Sequence, residues 1–75
     1  MTKQQLQDFL IAYAIDRMTE FLIEDYKLSI AECLDFIYNS ETYQKLVRTK
    51  NGLYEQSPSY IYELLEKEYR TGSAA

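Results

Sequence analysis

The sequence predicts an all-α fold, a compact bundle of about four helices: one long, two short and one C-terminal. Three observations carry that prediction. Neither glycine nor proline occurs before Gly52, so nothing in the first two-thirds of the chain breaks a helix. Apolar residues recur at helical rather than strand spacing. Four Ser or Thr residues stand where helix N-caps are needed.

The first helix is predicted over residues 3–25, with Thr2 as its cap. Ile11, Ile15, Met18 and Leu22 follow i, i+4, i+7, i+11, one stripe of a helix, and Leu10, Ala14 and Phe21 widen it. Leu6, Phe9 and Tyr13 make a second apolar strip on another side, confined to the N-terminal half.

Ser29-Ile30-Ala31-Glu32 reads as a capping box, with Leu28 and Cys33 at the two staple positions around it. The second helix then runs to about Tyr38, with Ile30, Cys33, Leu34 and Ile37 inward and Phe36 pointing elsewhere. Ser40 caps a short third helix over 41–48, whose apolar positions are Tyr43, Leu46 and Val47. Thr49-Lys50-Asn51-Gly52 is a turn, because Asn and Gly tolerate positive φ. Leu53 and Tyr54 fold back as an apolar plug. Ser57-Pro58 starts the fourth helix, over about 58–70, since proline at the first helical position loses no hydrogen bond. Ile61, Leu64, Leu65 and Tyr69 are its predicted inner face. Residues 1–70 thus read as one helical domain, and 71–75 as a flexible tail.

Counting residue types removes many functions. The chain has 75 residues, one Cys and no His. A tetrahedral Cys/His zinc site and the His-dependent catalytic arrangements are excluded within one chain. Only Gly52 could serve a phosphate-cradling loop in the folded region, and such loops need several glycines. No enzyme activity, cofactor or small-molecule substrate is therefore expected. The carboxylates of both long helices, with Glu63 and Lys67 an opposed i,i+4 pair, read as solvated faces. The longest apolar run, Phe9 to Ile15, is too short to span a bilayer. A lone Cys without an export signal suits the cytoplasm.

What remains is association. A chain this short buries only about 60–65% of its unfolded surface and is marginal alone. Leu6, Phe9 and Tyr13 need a cover beyond the core stripe. Tyr54, Tyr60 and Tyr62 belong to a tyrosine-rich C-terminal half, and tyrosine is enriched at interfaces. These six residues are the candidate partner-binding surface, for a protein partner or a homodimer. The alternative is a helix-turn-helix DNA-binding regulator using residues 41–50, with Gln44, Lys45, Arg48 and Lys50 on nucleic acid. The net charge of −4 and Glu41 at the start of that helix oppose it, so nucleic acid is the less expected partner.

The segments LSIAECLDFIYNSETYQKLV and GLYEQSPSYIYELLEKEY, from Leu28 to Tyr69, carry a pattern: Leu28, Ser29, Cys33 and Leu34, then Tyr38, Ser40, Thr42, Tyr43 and Leu46, then Gly52, Leu53, Tyr54, Ser57, Tyr60 and Leu65. It resembles short all-helical bacterial proteins of the domain-of-unknown-function kind. Such proteins are often encoded beside short helical proteins and toxin-like enzymes. The resemblance implies an antitoxin-like or accessory binding role, and it brings no catalytic residues.

Overall fold

Each helix begins where a side chain satisfies the first free amides. A computed structural model describes residues 1–72. Helix α1 spans Lys3–Tyr26, α2 Ile30–Tyr38, α3 Glu41–Val47 and α4 Pro58–Thr71. Two short 3₁₀ turns, Thr49–Asn51 and Leu53–Glu55, join α3 to α4. No strand occurs among the described residues. Thr2 and Ser29 both close capping boxes, with Gln5 and Glu32 as their reciprocal partners. Ser40 and Ser57 accept from the amides of Tyr43 and Tyr60, and Pro58 sits at the first position of α4.

The ends are equally specific. Lys27 closes α1 in the left-handed region at φ 58°, the only non-glycine residue described there. Gly52, at φ 71°, is the pivot between the two 3₁₀ turns. Its neighbour Asn51, read from sequence as tolerating positive φ, does not use that freedom. Helix α4 continues through Thr71, with Gly72 as a left-handed cap. Of the five residues assigned to a flexible tail, Thr71 is thus helical, and 73–75 lie outside the described residues.

Helix α1 is the spine. Its 24 residues span about 36 Å at 1.5 Å each, which equals the longest dimension of the molecule, 36 × 22 × 18 Å. Helices α2 and α4 pack on it, and α3 packs on α2 and α4. The core is Ala14, Met18 and Leu22 of α1, Cys33 and Ile37 of α2, Leu46 of α3, and Ile61, Tyr62 and Leu65 of α4. Leu53 and Tyr54 close over it, as the plug reading expects.

Two predicted apolar positions, Ile30 and Val47, are corrected, and Phe36, read as pointing elsewhere, finds its partner. Ile30 is 62% exposed, because it lies in the first turn of α2, beyond the reach of its neighbours. Phe36 instead meets Tyr69 of α4 edge-on, with ring centroids 5.2 Å apart. Val47 is exposed, and Thr42 is buried in its place, because α3 turns its Thr42–Leu46 edge inward. That edge is selected by Glu68. Its carboxylate accepts from the backbone amides of Glu41 (3.0 Å) and Thr42 (2.8 Å) and from the Thr42 hydroxyl. A seven-residue helix with little stability of its own is thereby anchored to α4.

The α1–α4 seam is closed by two phenols acting in opposite directions. Tyr62 of α4 donates to Asp25 of α1 at 2.7 Å, and Tyr26 of α1 donates to Glu66 of α4. Burial pushes the Tyr62 phenol well above its ordinary pKa, and the Asp25 carboxylate adds to the shift. Tyr26 is raised chiefly by its bond to Glu66. Glu66 is held below the ordinary carboxylate value by the Tyr26 phenol and then by Arg70. The ion pairs among the described residues are Arg17–Glu20 and Arg70–Glu66, so the opposed charges of Glu63 and Lys67 do not meet.

Candidate functional site

Three of the six candidate partner-binding residues come together on one exposed face. Leu6 (46% exposed), Phe9 (57%) and Tyr13 (47%) lie along the N-terminal half of α1. Phe9 and Tyr13 stack with ring centroids 6.4 Å apart and planes 6° from parallel. At 100° per residue the strip centres roughly 150° around α1 from Ala14, Met18 and Leu22. It therefore points away from the core. Further along the same side the residues become Asp16, Arg17, Glu20 and Glu24. Arg17 bonds Glu20 at 3.0 Å and lies over the Phe21 ring. The strip is thus an apolar patch with a charged border.

The three tyrosines behave differently. Tyr62 is corrected: it is 9% exposed and belongs to the core, against Phe21 at 4.9 Å. Its position on α4 puts it on the same flank as Glu66 and Tyr69, the one that meets α1. Tyr54 is half-buried, and its hydroxyl accepts from Gln7 Nε2 at 3.2 Å. It fastens the second 3₁₀ turn to α1. Tyr60 is exposed, on the other flank of α4.

That other flank borders a furrow the sequence did not indicate. A hollow of about 540 Å³ is lined by Lys45, Asn51, Leu53, Gln56, Tyr60 and Leu64. Past Lys45 and Leu64 it continues into a second hollow, of about 280 Å³, bordered by Lys67 and Glu68. Lys45 and Lys67 stand on different helices across this furrow, and neither makes an ion pair. Only tertiary packing joins residues so far apart in the chain, which is why spacing could not reveal them.

The four nucleic-acid candidates, Gln44, Lys45, Arg48 and Lys50, are all exposed. They do not share one helix: α3 ends at Val47, Arg48 is its cap, and Lys50 lies in the next turn. The start of α3, where a recognition helix offers free amides, is occupied by the Glu68 carboxylate.

Cys33 is buried against the Thr19 carbonyl, and burial pushes its thiol above the ordinary value, away from the reactive thiolate. Among the described residues no group of three or more His, Cys, Asp or Glu is placed to hold a metal ion. No described helix is long and apolar enough to cross a membrane. Comparison with family models, curated proteins and solved structures returns no match for this chain.

Proposed function

We propose that this chain is a small, non-catalytic helical protein–protein interaction module with an antitoxin-like or accessory role in a reducing, cytoplasmic setting. The observation that carries the proposal is the Leu6–Phe9–Tyr13 strip. Three large apolar side chains stand in water on the outer side of a well-capped helix, while the same helix's inner stripe is fully packed. Such a patch is only partly covered within the chain, and covering it by a partner removes further apolar surface from water.

Tyr60, exposed on α4, adds an amphipathic contact of the kind interfaces favour. The DNA-binding alternative loses ground. Its helix is two turns long, and Glu68 brings a carboxylate to the end where phosphates would sit. Electrostatic repulsion there opposes a nucleic-acid backbone.

The test is affinity capture from the native host with the wild-type chain and the variant Phe9→Glu. A partner retained by the wild type and lost with a folded Phe9→Glu chain supports the reading. Equal capture by both places binding elsewhere. Low-salt gel shift with duplex DNA checks the alternative, because even non-specific binders bind there.

A further inference from the structure

The α3–α4 furrow and the outer side of α1 are complementary in shape and in charge. The furrow is concave, with Leu53 and Leu64 among its walls and Tyr60 at its edge. Lys45 and Lys67 stand along it without ion-pair partners, and Arg48 and Lys50 continue the positive charge at its far end. Two carboxylates, Glu41 and Glu68, also border the second hollow, and Glu68 is engaged by three donors from the start of α3. The outer side of α1 is convex. It presents Leu6, Phe9 and Tyr13 over about 10 Å of helix, followed by Asp16, Arg17, Glu20 and Glu24 over about another 12 Å, where Arg17 already pairs with Glu20 and leaves Asp16 and Glu24 without an ion pair among the described residues. Apolar surface would face apolar surface, and Asp16 and Glu24 would face unpaired ammonium groups.

The two surfaces do not overlap. Helix α4 turns Tyr62, Glu66 and Tyr69 towards α1, and Tyr60, Leu64 and Lys67 towards the furrow. One chain can therefore engage a neighbour through each. Pairing of α1 with α1 is the poorer alternative. A parallel pair would bring the acidic ends together, and any α1–α1 pair leaves Lys45 and Lys67 without a carboxylate from the neighbour.

We propose that the occupant of the furrow is a second copy of this chain, seated through the outer side of its α1, in a head-to-tail arrangement. This rests on the reading of the Leu6–Phe9–Tyr13 strip as a docking surface, and it identifies the furrow as that surface's complement. Such a contact is heterologous, so it can extend from copy to copy or close into a ring. The strip is smaller than a stable interface of about 1,200 Å² requires, so the association is weak, concentration-dependent and sensitive to salt.

Sedimentation velocity over a concentration series at low ionic strength tests it, with circular dichroism to establish that each variant is folded. The expected result is a wild-type sedimentation coefficient that rises with concentration. Phe9→Glu and the double variant Lys45→Glu/Lys67→Glu should each weaken association by about tenfold or more. Mixing the two variants should restore a discrete dimer, because one retains an intact furrow and the other an intact strip. Wild-type association by the lysine double variant, or a mixture that stays monomeric, would overturn the head-to-tail contact. A wild type that is monomeric throughout also overturns it. The docking reading itself then stands or falls on whether capture of a different protein depends on Phe9.

Discussion

The two halves of α1 have the same backbone and different fates. Residues 14–26 bury Ala14, Met18 and Leu22, hold Phe21 against Tyr62, and exchange phenol–carboxylate bonds with α4. Residues 3–13 bury no side chain fully, and they place Leu6, Phe9 and Tyr13 in water. Apolar content does not separate them. Position relative to the other helices does: α2 and α4 both dock on α1, and the full burial begins only at Ala14. Hydrophobicity therefore does not assign a residue to the core. It assigns it to whatever surface comes to cover it, and the Leu6–Phe9–Tyr13 strip is left exposed.

The contrast can be broken most forcefully at Leu22. Leu22→Ala should lower stability by about 2–5 kcal/mol in chemical denaturation, since it opens a cavity in a fully packed site. Leu6→Ala, the same chemical change in the other half, should cost under about 0.5 kcal/mol. Equal effects would show that the N-terminal half is covered in solution.

Acid should weaken the α1–α4 seam and the start of α2. Glu66 has its folded pKa lowered by Tyr26 and Arg70, so its contribution is present above about pH 4.3 and is lost as pH falls through the folded value. Glu32, lowered chiefly by its bond to the Ser29 amide, follows the same sign for α2. The raised phenols of Tyr62 and Tyr26 give the opposite limb: their contribution is present below about pH 10 and is lost as pH rises further. Thermal melts from pH 7 to 2.5 should show declining Tm, and hydrogen exchange should report opening of the α1–α4 seam.

Lys27→Gly should raise stability by about 0.5–1 kcal/mol, because Lys27 closes α1 in a backbone region where only glycine is unstrained. Thr2→Ala removes the capping box at the other end. It should speed amide exchange in the first turn while barely moving the global Tm, because that turn makes few core contacts. The smallest folding effect belongs to Phe9→Glu, within about 0.5 kcal/mol, as expected for an exposed position. A large loss of Tm in this variant would place the strip inside the fold.

Local structure was legible because its causes are local. Thr2, Ser29, Ser40 and Ser57 mark the helix starts, since a hydroxyl three residues before a free amide needs nothing from the rest of the chain. The resemblance over Leu28–Tyr69 traces many of these same cap, turn and core positions. Side-chain fate was less legible. Tyr62 and Tyr60 are equally amphipathic and two residues apart, so one faces α1 and the other faces away. Ile30 shares a face with Cys33 and Ile37, but it overhangs the end of the packed region.

The sequence alone thus determined that this chain is helical, where each helix begins, and that its apolar surface exceeds what one small core can use. Periodicity and capping are set by neighbours within one turn. Only the tertiary structure decided which apolar strip stays uncovered, that Glu68 anchors α3, and that Lys45 and Lys67 flank one furrow. Those facts depend on the angles at which the helices meet, and no local pattern encodes them.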